Sequence, residues 1–191
     1  MTWREYVQKT VNKKPHELLM RATGLVESTG PKRALDLGVG ALGDSKYLAS
    51  KGYEVTAVDS EESIKYLAPG TPNLDVIVSP MENFAPDGEY DLVNAQYALP
   101  FIPKECFWNV LATAAGSLKE SGIFCATFFG PEDEWHNDPM LTFVSKSELE
   151  EKLSTYNLNV LYNEEEKGLG KIAAGGNKFW HVFHVIARKH T

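Results

Sequence analysis

The run Ala34-Leu35-Asp36-Leu37-Gly38-Val39-Gly40-Ala41-Leu42-Gly43 sets a carboxylate and three glycines where a short apolar strand breaks into a turn. Gly38, Gly40 and Gly43 let the backbone turn sharply and approach a ligand closely, and Asp44-Ser45 then open a helix whose free N–H groups can hold an anion. The next strand, residues 53–58, ends in Asp59, 19 residues beyond Gly40, the distance from which a carboxylate reaches a ribose diol. A glycine turn followed by such an acid suits an adenosine-bearing cofactor. Two remain open on this pairing, a dinucleotide and S-adenosylmethionine (SAM).

The elements that must position these residues alternate in the rhythm of a parallel sheet covered on both faces. Helical patterns over 3–10 and 15–25, the second with Pro15 as first helical residue, precede a strand at 33–37. A helix at 45–50 closed by Gly52 leads to the strand 53–59, and a helix at 61–67 leads through a Pro/Gly turn to a strand at 74–78. Residues 90–95 form a fourth strand. Helical spacing of Phe107, Val110, Leu111, Ala114 and Leu118 predicts a helix over 103–118, and the apolar run 123–129 reads as a central strand. Ser145 and Glu148 form a capping box for a helix over 148–156, followed by strands at 158–163 and 179–187. The glycine-rich stretch 167–177 opens a strand rather than a helix and reads as a mobile loop. It is too short for a crossover helix, so the final strand runs antiparallel to its neighbour. The fold expected is α/β, a doubly wound, seven-stranded, mostly parallel sheet with an antiparallel last strand. A single domain spans 1–191, with an N-terminal helical cap over 1–30 and a Rossmann-like core over 31–191.

Composition narrows the function classes. At 191 residues, 43% hydrophobic and 24% charged, the chain is ordinary globular protein with room for one sizeable core. The N-terminus lacks an apolar h-region and no stretch approaches bilayer-spanning length, so neither membrane association nor secretion is expected, and the compartment is read as cytoplasmic. Cys106 and Cys125, without C-x-x-C spacing, read as reduced, packed thiols. A net charge of −7 with no basic cluster beyond Lys13-Lys14 argues against nucleic-acid partners.

Asp36 separates the two cofactors. A dinucleotide strand usually enters its turn with apolar residues, because a carboxylate there would repel the pyrophosphate. SAM carries an ammonium and a sulfonium besides its carboxylate, so an acid beside the turn is tolerated and useful. In these motifs, and in the order of its segments, the chain is similar to the class I SAM-dependent methyltransferases, and within them resembles the small bacterial group related to tellurite-resistance methyltransferases. The resemblance runs from Lys14-Pro15 through the 34–40 and 55–59 motifs, Tyr90-Asp91-Leu92-Val93, 118–124 and Phe129-Gly130-Pro131-Glu132-Asp133-Glu134-Trp135, to Lys178-Phe179-Trp180-His181-Val182. It implies an enzyme that moves a methyl group from SAM to a small-molecule acceptor by in-line displacement. Two departures stand out. Leu42 occupies a glycine position of the family's D-x-G-x-G-x-G turn, and Pro80 stands where an aspartate often accepts from the adenine amino group, leaving that task to Met81 and Glu82.

On this reading Asp36, Gly38 and Gly40 hold the methionine portion, Asp59 and Ser60 the ribose, and Met81 and Glu82 flank the adenine. The plainer roles are a turn-bonding buried acid for Asp36 and helix caps for Asp59 and Ser60. Asn94 and Gln96, beyond the fourth strand, fall where cofactor and acceptor meet; the alternative is a pair of loop-capping amides. Trp135 could wall the acceptor pocket, and His181 could bind the acceptor or take its proton, although a sheet histidine is more often simply packed. Glu132, Asp133, Glu134, His136 and Asp138 read as a solvated acidic loop, with no metal site. The N-terminal helices, with Trp3, Tyr6 and Leu19, cover the cofactor or pack on the sheet. Two other functions stay open: SAM binding without turnover, in a sensor or accessory subunit, and an NAD(P)-dependent oxidoreductase.

Overall fold

A computed structural model of the chain describes residues 2–173 and 175–190. Helix α1 (Trp3–Thr10) opens with a capping box in which Thr2 and Glu5 satisfy each other's backbone N–H groups, and α2 (Glu17–Thr23) follows. Pro15 is therefore not the first helical residue; His16 occupies the N-cap, with its own N–H taken by Asp44 at 2.9 Å. Then come β1 (Lys32–Leu37), α3 (Gly43–Ser50), β2 (Tyr53–Asp59), β3 (Leu74–Val78), β4 (Tyr90–Ala95), α4 (Lys104–Gly116), β5 (Leu118–Phe129), α5 (Lys146–Thr155), β6 (Leu158–Lys171) and β7 (Asn177–Lys189). The helix expected over 61–67 is a short 3-10 turn, Glu62–Tyr66, capped by the Glu61 carboxylate.

Seven strands form one sheet in the order β3-β2-β1-β4-β5-β7-β6, with β1 to β5 parallel and β7 antiparallel to both of its neighbours. Alternation along β1 assigns its residues to two layers. Leu35 and Leu37 join Phe107, Leu111, Phe124, Leu149 and Phe183 beneath α4 and α5, and Ala34 joins Leu19, Leu48, Tyr53 and Ile186 beneath α2 and α3. Asp36 falls on the second face, against α3. The largest departure lies at the C-terminal hairpin. Residues 167–171, expected in a loop, continue β6, which pairs with β7 as far as Lys171 opposite Asn177. The backbone hydrogen bonds of a two-stranded ladder thus override the weak strand propensity of Gly168 and Gly170. Gly170 also faces the Trp180 indole, where a Cβ would come within 2.8 Å of the ring.

Candidate active site

A cavity of about 1240 Å³ opens at the carboxyl ends of the parallel strands, where crevices of doubly wound sheets bind ligands. One end is walled by the turn after β1, by Asp59-Ser60-Glu61 and by Pro80-Met81-Glu82. Tyr97, Phe129, Trp135 and Trp180 wall the other, together with the tip of the β6–β7 hairpin, and α1 contributes Trp3 and Tyr6. Beside the glycine turn lies a recess of about 50 Å³, lined by Lys13, Lys14, His16, Asp36, Gly40, Asp44 and Gln96, among others.

The parallel register builds the acidic floor of that recess. Asp36 pairs with Asn94 across β1 and β4, and the Asn94 amide donates to Asp36 at 2.8 Å and to Asp44 at 3.2 Å. Ser45, at the start of α3, donates its hydroxyl to the other Asp36 oxygen. Burial, then the neighbouring Asp44 charge, pushes the Asp36 carboxyl up to about 7 despite these donors. Asp44 moves the opposite way: burial works against its charge, but the donors and charge of His16, 2.8 Å away, hold it below the usual carboxylate range. The two acids so divide the cost of sharing one buried corner.

Asp59 sits at the tip of β2 with one oxygen accepting from Gly40 N–H at 2.8 Å and the other from Glu61 N–H at 3.0 Å. It is thus a turn cap and a cavity wall at once, and each oxygen keeps a lone pair for a further donor. Burial raises its carboxyl above the ordinary range. Gly38 and Gly40 both have positive φ, 68° and 50°. At Gly38 a Cβ would overlap Ala98, and at Gly40 it would stand 3.3 Å from the Tyr6 ring, so the turn has no room for side chains. Ser60, Met81 and Glu82 lie on the cavity wall beside Asp59.

Of the residues expected on the acceptor side, Gln96 and Trp135 reach the cavity and Asn94 and His181 do not. Asn94 is fully buried, its carbonyl oxygen accepting from the Gln96 amide at 3.0 Å. It positions Asp36, Asp44 and Gln96 from behind. His181 lies on the opposite face of β7 from Trp180 and Val182, packed against Gly130 with a ring-to-ring distance of 5.0 Å to Phe183. Its Nδ1 accepts from Glu132 N–H at 3.0 Å and its Nε2 meets Glu165 at 3.1 Å, so one nitrogen serves the loop after β5 and the other the strand β6. The odd–even alternation of the strand decides this, and it selects Trp180 over His181.

A family model described as Tellurite resistance protein TehB matches residues 4–186. The chain belongs to the TehB family. It is 26% identical over 161 residues to an uncharacterized methyltransferase of Staphylococcus carnosus (strain TM300), covering 80% of this chain and 77% of that relative. Among solved structures, TehB from Haemophilus influenzae superposes with a TM-score of 0.79 at 19% identity over 96% of this chain, which spans 65% of that protein. The 1,6-didemethyltoxoflavin-N1-methyltransferase of Burkholderia thailandensis, solved with 1,6-didemethyltoxoflavin and S-adenosylhomocysteine, gives 0.69 at 20% identity, covering 92% of this chain and 79% of that one. The fold is that of solved SAM-dependent methyltransferases.

The residues present fit SAM. The amino-acid end of that cofactor is a zwitterion, and the recess offers both signs of charge, Asp36 and Asp44 facing Lys13, Lys14 and His16. Gly38 and Gly40 keep the turn free of side chains, and a Cβ at either would press on Ala98 or Tyr6 of the cavity wall.

Two sets of wall residues were invisible in the sequence of this TehB-family protein. Lys13 and His16 carry no local motif, and only their return to α3 through the His16–Asp44 pair brings them to the site. Tyr97 carries a left-handed φ of 51°, uncommon for a tyrosine, and its N–H is held by Thr127 at 3.2 Å. Burial, then the Glu166 charge, pushes its phenol up to about 12. An aromatic residue two positions past a strand end was the one available signal.

Proposed function

We propose that the chain transfers the methyl group of SAM to a small-molecule acceptor. The observation that supports this most is the mixed charge of the recess beside the glycine turn, because a diphosphate bridge would meet Asp36 and Asp44 at close range whereas a zwitterion is complemented. SAM supplies a methyl carbon bonded to a positively charged sulfur that departs as a neutral thioether. The chain's own part is positioning and exclusion of water, which suffices for an in-line displacement. Asp36 and the Gly38–Gly40 backbone orient the methionine end, with Asn94 holding Asp36 in place. Asp59 and Ser60 bind the ribose, and Met81 and Glu82 flank the adenine, with the Met81 side chain offering a polarizable face where Pro80 offers no acceptor. Gln96 closes the floor between the two ends. It is locked there by donating to Asn94 and to Cys125 at 3.1 Å while accepting from Thr127 at 2.9 Å. The free thiols Cys106 and Cys125 support a reducing, cytoplasmic setting.

Calorimetric titration with SAM, S-adenosylhomocysteine and NAD, each separately, tests the reading. SAM and S-adenosylhomocysteine should bind, and Asp59→Ala should weaken both by at least about tenfold, the worth of a charge-assisted hydrogen-bond pair. Heat from NAD alone would reassign the chain to oxidoreductases. An unchanged affinity in Asp59→Ala would leave Asp59 as a cap. Binding without S-adenosylhomocysteine release over a panel of thiols, amines, hydroxyls and oxyanions would favour a sensor.

A further inference from the structure

The segment Gln96-Tyr97-Ala98, just past the tip of β4, borders the glycine turn. A Cβ on Gly38 would overlap Ala98, and Gln96 lines both the recess and the larger cavity. Tyr97 stands between them with its left-handed φ of 51°. That backbone is unfavourable for a bulky side chain and persists only where the surroundings fix it. Thr127 does so, its hydroxyl accepting from the Tyr97 N–H at 3.2 Å and donating to the Gln96 carbonyl oxygen at 2.9 Å.

The strained backbone sets the side chain at the passage between the two ends of the cavity. On the recess side its ring centre lies 5.7 Å from the His16 ring and 5.8 Å from Lys13 Nζ. On the hairpin side it lies 5.9 Å from Trp180 and 6.4 Å from Phe129, ring centre to ring centre. The ring is thus engaged from both sides, and the hydroxyl remains. Among the described residues no hydrogen bond holds it, while Glu166 and the Tyr6 hydroxyl lie within electrostatic reach. Burial and these neighbours, which push the phenol up to about 12, keep its proton on at neutral pH. It offers oxygen lone pairs and an O–H donor there, and no base.

With the methionine end in the recess and the ribose at Asp59, the sulfur that joins them sits beside the glycine turn. The methyl group, the third substituent on that sulfur, then points away from both, past Gln96 and Tyr97 toward the hairpin end. From this we infer that the Tyr97 hydroxyl oxygen contacts the methyl group of SAM and aims it at the acceptor, which makes Tyr97 a catalytic residue of this chain. The inference rests on the methyltransferase reading and deepens it. A methyl bonded to a sulfonium carries partly positive hydrogens, and a phenol oxygen accepts from them in weak C–H···O bonds. As the acceptor's electron pair bonds to carbon and the carbon–sulfur pair leaves with the sulfur, the oxygen keeps the methyl in line. The phenol proton stays where it is throughout.

Calorimetry on Tyr97→Phe, which removes the oxygen and keeps the ring, tests this with three ligands at pH 7. SAM carries both methyl and charge, S-adenosylhomocysteine carries neither, and in sinefungin a carbon bearing an ammonium replaces the sulfur and its methyl. Sinefungin should weaken by about tenfold, the loss of a charge-assisted hydrogen bond. SAM should weaken by about threefold, the loss of C–H···O contact, and S-adenosylhomocysteine should stay within about twofold. The ratio of SAM to S-adenosylhomocysteine affinity therefore falls, which a merely structural disturbance of the wall would not produce. Tyr6→Phe, titrated in parallel, removes the neighbouring hydroxyl and should shift that ratio less. An unchanged sinefungin affinity in Tyr97→Phe, equal weakening of all three ligands, or the selective loss appearing in Tyr6→Phe in its place would each overturn the inference while leaving the methyltransferase reading intact. Failure of the unaltered protein to bind SAM and S-adenosylhomocysteine would overturn both.

Discussion

At the glycine-turn end of the cavity the wall residues sit within a few positions of the tips of β1, β2 and β3, and the parallel register Leu37 to Val58 and Asp36 to Asn94 converts their spacing along the chain directly into geometry. At the hairpin end the wall is assembled from Tyr97, Phe129, Trp135, Glu166 and Trp180, brought together by an antiparallel ladder and by the loop that follows β5. One end is held by backbone turns and hydrogen bonds of short range, the other by long-range packing around a single buried ion pair. A cofactor common to many enzymes can be held by the first kind of construction while the second varies.

If the two ends are built so differently, they should fail differently, and the largest effect is expected at Asp133. Its carboxylate accepts from Lys178, from Trp135 N–H at 3.0 Å and from His181 N–H at 3.1 Å, all with no exposed surface on either charged side chain. Asp133→Ala strands the Lys178 ammonium among aromatic rings and should cost about 3–5 kcal/mol, measured by chemical denaturation. Lys178→Met combined with Asp133→Asn, which removes both charges and keeps an acceptor for one of the two N–H groups, should recover part of that loss. SAM affinity of the folded fraction should stay within about twofold throughout. A parallel loss of SAM affinity would show that the two ends are one unit.

The converse test is Gly38→Ala. Gly38 and Gly70 have nearly the same left-handed backbone, φ 68° and 67°, but a Cβ on Gly38 overlaps Ala98 whereas Gly70 has open space. Gly70→Ala therefore reads the backbone strain alone, about 1 kcal/mol. Gly38→Ala adds overpacking, for about 2–4 kcal/mol in all. Only Gly38→Ala should also weaken SAM, by more than about tenfold, because its methyl group pushes Ala98, itself part of the cavity wall, out of place. Equal effects at the two sites would remove the close-approach argument.

The same contrast explains what could be read before the structure. The seven-stranded, mostly parallel sheet, the antiparallel β7 and the family followed from apolar runs and from the glycine turn with its paired acids, since local pattern and connection length point to these. The extent of β6 did not follow, because Gly168 and Gly170 oppose strand formation locally and are recruited only by thirteen paired positions along β7. His181 carried the more suggestive side chain and Trp180 the more useful face. A one-residue difference on a strand reverses the face, and no local signal marks which face meets a cavity. Nothing local marks Lys178 as buried, because its burial depends on a carboxylate 45 positions away.

The smallest effect concerns Asp36 and the pH dependence of the glycine-turn end. Its folded-state pKa of about 7 lies above the ordinary aspartate value of 3.8, so between these pH values the folded chain binds more protons than the unfolded chain. Stability must then fall as pH rises through that window, and the stabilisation present at lower pH is lost by about pH 7. Asp59, also raised by burial, contributes in the same direction, and Asp44, held low beside His16, opposes both only when the pH falls toward the ordinary carboxylate range. The thermal midpoint should rise by a few degrees, roughly 2–4 °C, on going from pH 8 to pH 5.5. Asp36→Asn should flatten most of that slope, because the amide can accept from Asn94 and donate to Ser45 without taking up a proton. Ligand affinity should run the other way. The ammonium of SAM favours the ionised carboxylate, so SAM should bind more tightly as pH rises through about 7, with a proton released on binding below that value. A SAM affinity independent of pH between 5.5 and 8 would mean that Asp36 holds the turn through Ser45 and Asn94 and does not meet the cofactor.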